Sequence, residues 1–113
     1  MSNNEIQSII QRLVEALSPL KIYLFGSYAY GIPQADSDYD LFIIIDDVHK
    51  DLYSQTVRAY QAIRHAHLHP VDIIIQNNST YEAKKDEPQN IIENEVYKKG
   101  KLLYDATCPS ISK

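Results

Sequence analysis

Five apolar residues in a row, Leu41-Phe42-Ile43-Ile44-Ile45, follow directly on Asp38-Tyr39-Asp40. A short run this rich in Ile suits a strand covered on both faces, so the chain must supply a layer on each side of a sheet. The run is far too short to span a bilayer. Its surroundings have a different period. Ile6, Ile9, Ile10, Leu13, Val14 and Leu17 recur at helical spacing, with Ser2, Asn3 or Asn4 available as caps and Pro19 as a stop. Residues 49–67 return to helical spacing through Leu52, Thr56, Val57, Tyr60 and Ile63, and His69-Pro70 ends that helix. Leu20–Phe25 and Val71–Ile75 read as further strands, closed by Gly26-Ser27 and by Asn77-Asn78-Ser79. One or two short helices are expected over 80–98, with Ile91, Ile92, Val96 and Tyr97 as their apolar face. Gly100 then serves as C-cap before a last short strand over Lys101–Tyr104. This order predicts an α/β (α+β) fold, a small sheet with helices on it, in which the 49–67 helix crosses between the second and third strands.

The 113 residues amount to one domain over 1–113, with an N-terminal helix over 1–18, a core over 20–76 and a frayed tail over 106–113. The net charge of −4 disfavours tight, unaided binding to a nucleic-acid backbone, which needs clustered Lys and Arg. A nucleotide held through metal ions escapes that objection, because the metals carry the positive charge. Cys108 is alone, which leaves no internal disulfide and fits a reduced cytoplasm. Residues 1–17 lack the basic start and apolar core of a signal peptide. No membrane association is expected.

Asp38 and Asp40 stand two apart at the start of a strand, so their side chains share a face, with Cα atoms ~6.5–7 Å apart. Like charges so placed repel unless cations lie between them, and carboxylate oxygens are what magnesium prefers. Asp72 puts a third carboxylate in the Val71–Ile75 strand, where Asp is disfavoured. If that strand pairs beside the Asp38–Asp40 strand, at ~4.8 Å, the three reach one cluster able to hold two metals. Gly26-Ser27 follows a strand and is expected to open a short helix over Ser27–Tyr30. Backbone N–H groups at a helix start bind phosphate, Gly allows close approach, and the Ser hydroxyl donates one more hydrogen bond. Each piece has an ordinary alternative: a plain turn, a solvated Asp-x-Asp loop, an edge-strand Asp facing water. The joint order is what points to a site.

The stretch Leu24-Phe25-Gly26-Ser27-Tyr28-Ala29-Tyr30-Gly31, continuing through Asp36-Ser37-Asp38-Tyr39-Asp40-Leu41, resembles the nucleotidyltransferases of the DNA polymerase beta type. It is most similar to the minimal nucleotidyltransferases (MNT) of bacteria and archaea, whose hallmark is Gly-Ser, ten residues, Asp-x-Asp. The resemblance is close over residues 24–45. It implies a small mixed sheet flanked by helices, and transfer of a nucleoside monophosphate from a triphosphate with two Mg2+ ions. Gly26 and Ser27 would hold the triphosphate. Asp38 and Asp40 would bind both metals, and Asp72 would help to bind the catalytic one. Tyr30 stands where family members commonly carry Arg; its ring can stack on a base and its hydroxyl can donate. Stand-alone relatives of this size are often antitoxins paired with a helical toxin of the higher-eukaryote-and-prokaryote nucleotide-binding (HEPN) class. Some of them attach AMP from ATP to a toxin tyrosine. The resemblance thus implies a HEPN toxin as partner, with a catalytically silent antitoxin, or transfer to a small molecule, as the alternatives.

Nine tyrosines are many for this length, and Tyr53 and Tyr60, seven apart, lie on one helix face. Ordinary amphipathic packing is the expectation for them, with a partner surface as the alternative. His65, His67 and His69 near a helix end read as capping or surface groups. Lys84-Lys85 and Lys98-Lys99 read as solvated helix surface.

Overall fold

The computed structural model describes residues 3–26, 38–49, 51–66, 70–87 and 92–106. Helix α1 spans Asn3–Leu17 and seals the sheet with Ile9, Leu13 and Leu17, all buried at four-residue spacing. It ends where Pro19 bars helix in the residue before it. Ser18 instead takes φ 47° and donates its N–H to the Val14 carbonyl at 2.9 Å.

Four strands follow: β1 (Lys21–Phe25), β2 (Tyr39–Ile45), β3 (Val71–Asn77) and β4 (Lys101–Asp105). The sheet order is β3-β2-β1-β4. β1 runs antiparallel to both β2 and β4, while β2 and β3 are parallel. The sheet is therefore mixed, and helix α2 (Leu52–Ala62) makes the crossover that a parallel pair requires. The central position of β2 explains its sequence, since Leu41 to Ile45 are all fully buried. Its odd-numbered residues pack against α1 and α2, together with Ile22, Leu24, Val71, Ile73 and Ile75. Phe42 and Ile44 face the other way. They meet Phe25, Tyr81 of α3 (Asn78–Lys84) and Val96 of α4 (Ile92–Lys99).

The helix α2 is shorter than the 49–67 that periodicity suggests. Asp51 caps it, accepting hydrogen bonds from the Ser54 backbone N–H at 3.1 Å and the Ser54 hydroxyl at 2.7 Å. Its inward face also differs from the expected one. Ala59 and Ile63 are buried and Leu52 packs against them, whereas Val57 and Tyr60 lie outside at 37% and 41% exposure. The small Ala59 lets the helix approach closely, and Arg58 donates to the Ala16 carbonyl of α1 at 2.8 Å. Tyr60 instead reaches the sheet edge, where its hydroxyl accepts the Ile73 N–H at 3.0 Å. That contact blunts the outer edge of β3, which would otherwise offer a free donor to another chain.

α4 shows a second reversal. Glu93, not Tyr97, is buried beside Val96, and the Gln76 side-chain amide donates to it at 3.2 Å. Tyr97 is half exposed, with the Lys85 ammonium 4.9 Å from its ring centre. No helix among the described residues is long and apolar enough to cross a membrane. Cys108, His67, His69 and the 107–113 tail lie outside the described residues.

The Asp51 cap gives a test of the local reading. The hydrogen bonds from Ser54 hold its carboxyl below the usual range. A carboxyl with a depressed pKa adds stability above its unfolded value, and the gain is lost as pH falls through the folded value. Asp51→Ala should therefore lower the thermal midpoint by a few degrees at pH 7. The difference from wild type should shrink on acidification below about 4, the ordinary Asp pKa. Thermal melts across that range measure it.

Candidate active site

The two kinds of strand pairing set the site at one end of the sheet. In the antiparallel β1–β2 ladder Phe25 lies opposite Asp40, and in the parallel β2–β3 ladder Asp40 lies opposite Asp72. Residues paired this way share a face and sit ~4.8 Å apart across the strands. Tyr39 is the pin that orients the group. It is buried against the α1–α2 layer, and its hydroxyl lies 3.3 Å from the Glu5 carboxylate. Alternation then turns Asp40 to the opposite side, the one that carries Phe42 and Ile44. On that side the outer strand is uncovered: Asp72 is exposed and Ile74 is 39% exposed.

Like charges act on one another within the group. Asp40 is half-buried, and its carboxyl is held above the ordinary range first by desolvation, then by the charge of Asp72 and that of Asp38. Asp38, also half-buried, immediately precedes β2.

Gly26 closes the group from the side of β1. It takes φ +78°, a conformation that glycine adopts freely and side-chain-bearing residues resist. A Cβ built on Gly26 would also run into the Asp40 carboxylate, so a larger residue there would have to push that side chain aside. This contact was not readable from spacing, although a Gly directly after a strand is the signal for it. The other two proposed nucleotide contacts, Ser27 and Tyr30, lie outside the described residues, as does the helix expected over 27–30.

The donor set suits a hard divalent ion: it is all carboxylate oxygen, and it carries a repulsion that a cation would relieve. Asp38, Asp40 and Asp72 are the carboxylates that the sequence assigns to such an ion, and the charges of Asp38 and Asp72 act on Asp40. Among the described residues no group of three His, Cys, Asp or Glu is arranged to hold a metal.

The family described as "Polymerase beta, Nucleotidyltransferase" matches residues 4–107. A search of curated proteins finds no match. Among solved structures, a protein from Sulfolobus solfataricus classed as a nucleotidyltransferase is similar, with a TM-score of 0.63 and 18% identity. The alignment covers 92% of this chain and 80% of that one. A toxin–antitoxin structure with AMP-PNP is similar at a TM-score of 0.55 and 22% identity, over 91% of this chain and 74% of the other. At these identities the two structures speak for the fold, which is the same mixed sheet with helices on both faces. With the family match running through nearly the whole chain and Gly26, Asp38, Asp40 and Asp72 gathered at one sheet end, the chain belongs to the polymerase beta nucleotidyltransferase family.

Proposed function

We propose that this chain is a Mg2+-dependent nucleotidyltransferase that moves AMP from ATP to a tyrosine hydroxyl of a HEPN-class toxin, with pyrophosphate leaving as the new phosphodiester bond forms, and so acts as its antitoxin in the cytoplasm. The observation that carries the reading is the in-register pairing of Asp40 with Asp72, with Gly26 pressed against the Asp40 carboxylate. Mutually repelling carboxylates on paired strands are costly to keep in a fold unless a cation uses them.

In this reading Asp38, Asp40 and Asp72 hold two Mg2+ ions. When bound, such ions neutralise triphosphate charge and acidify an attacking hydroxyl. Gly26 leaves room for a phosphate to approach the backbone, and Ser27 and Tyr30 complete the nucleotide contacts. Asp72, exposed on the outer strand, would take the acceptor's proton in this reading. Asp72 and Ile74 are exposed, which is compatible with approach of an acceptor from that side. A partner toxin and ATP are supported by the similar toxin–antitoxin structure with AMP-PNP.

Incubation with labelled ATP, Mg2+ and the protein encoded beside this one tests the proposal. Label should appear on a tyrosine of the neighbour and vanish with Asp38→Asn. Tight co-purification without label would establish a silent antitoxin instead. Label on a small molecule alone would make the acceptor a metabolite or drug.

A further inference from the structure

The expectation of ordinary amphipathic packing for Tyr53 and Tyr60 fails, since Tyr53 is 78% exposed and Tyr60 lies outside the core beside it. Tyr60 is nonetheless engaged. Its hydroxyl accepts the N–H of Ile73, the residue that follows Asp72.

That contact falls where β3 most needs one. β3 is an edge strand, so β2 holds its backbone along one side only. Backbone groups point alternately to the two sides of a strand. Pro70 turns its carbonyl to β2 and accepts the Tyr39 N–H there at 2.9 Å. Two residues on, Asp72 turns its own peptide groups the same way, and Ile73 turns its N–H outward, to Tyr60. The backbone at Asp72 and Ile73 is thus held from both sides, by β2 in register and by a hydroxyl from the crossover helix. The helix is itself well anchored. Ala59 and Ile63, on either side of Tyr60 in the chain, are buried in the core, and Arg58 is bound to the Ala16 carbonyl. Asp72 helps its strand little, being exposed and of a type that strands disfavour.

We propose that Tyr60 is a positioning residue, whose hydroxyl fixes the backbone beside Asp72 and so the spacing of the Asp72 and Asp40 carboxylates. The inference rests on the reading of these carboxylates as ligands of divalent ions. Mg2+ demands near-ideal geometry, with oxygens at ~2.0–2.1 Å, so a small shift of the strand is felt at the metal. The phosphate contacts assigned to Gly26 and Ser27 follow β1, on the other side of β2 from Tyr60, and a change at Tyr60 leaves them in place.

Tyr60→Phe keeps the ring and removes the acceptor. Mn2+ uptake by the full chain, counted by electron paramagnetic resonance with a non-hydrolysable ATP analogue, reads out the effect. One of the two ions should bind at least ~5-fold more weakly, the scale of one lost hydrogen bond. The other ion, and the analogue at saturating Mn2+, should keep their affinities within about twofold. Tyr53→Phe, which removes a hydroxyl from the same helix, should match wild type. A role confined to closing the sheet edge would lower the thermal midpoint of Tyr60→Phe and leave ion binding by the folded protein unchanged, which overturns the proposal. Equal weakening of both ions also overturns it, as the mark of general loosening. Amide hydrogen exchange on the wild type needs no variant. Ile73 should exchange at least ~10-fold more slowly than an open edge amide, and unprotected exchange there overturns the proposal too. A wild type that takes up no ion defeats the reading of the carboxylates and this inference with it. Wild-type uptake with an indifferent Tyr60→Phe defeats this inference alone.

Discussion

Asp40→Asn is expected to abolish metal-dependent nucleotidyl transfer, by a factor of at least ~10²–10³, the scale on which removal of a preorganised electrostatic group acts. The same change should not harm the fold. Asp40 is a half-buried carboxylate that faces Asp72 across a strand pair and Asp38 along the chain, with its charged form disfavoured by burial and by both neighbours. Replacing it with a neutral isostere removes that repulsion. In metal-free buffer the variant should therefore melt at or above the wild-type temperature. Added Mg2+ with a non-hydrolysable ATP analogue should then raise the wild-type midpoint and leave the variant's unmoved, because ligand bound only to the folded state stabilises it. Asp86→Asn, at an exposed position away from the group, should behave as wild type in both assays. A variant that loses activity and melts lower would mean that Asp40 serves the fold instead.

Gly26→Ala should damage both properties together. The left-handed backbone at φ +78° costs a side-chain-bearing residue about 1–2 kcal/mol. The added methyl also has nowhere to go except into the Asp40 carboxylate. Either the turn shifts or Asp40 swings aside, and a displacement of ~1 Å at a reacting centre costs about 10²-fold in rate. The expected result is a lower thermal midpoint, with activity reduced well beyond what the midpoint explains. Thermal melts and initial rates on the same preparation separate the two effects. Wild-type turnover by a folded Gly26→Ala protein would show that the contact with Asp40 has no part in the chemistry.

The strands were legible because their signals are local. Leu41 to Ile45 suit a strand covered on both faces, and a helix crossing between the second and third strands suits Val71 to Ile75 as a parallel neighbour. That neighbourhood brings Asp72 within reach of Asp38 and Asp40, and the register that sets it opposite Asp40 is seen only in the fold. Helix faces were less legible. In α2, Val57 and Tyr60 satisfy a helical period as well as Ala59 and Ile63 do. The inward stripe is the one whose Ala59 and Ile63 pack in the core, and those partners, like the Ala16 carbonyl that Arg58 reaches 42 residues away in sequence, are ones that periodicity cannot register. In α4 the polar Glu93 takes an inward position because Gln76 is there to pair with it, while Lys85 draws Tyr97 outward. The Gly26–Asp40 contact is of the same kind: a three-dimensional coincidence of a turn and a neighbouring strand. Side-chain alternation in strands is fixed by the backbone, whereas helix rotation is decided by the partners it meets.

The central claim is that Asp38, Asp40 and Asp72 together take up divalent cations for a nucleotide. Binding of Mn2+, in place of Mg2+, can be counted by electron paramagnetic resonance in the presence of the ATP analogue. Two ions should bind per chain in a nucleotide-dependent way, with both lost in Asp40→Asn and at least one in Asp72→Asn. Uptake that is absent at millimolar metal, or that both variants leave unchanged, would contradict the account.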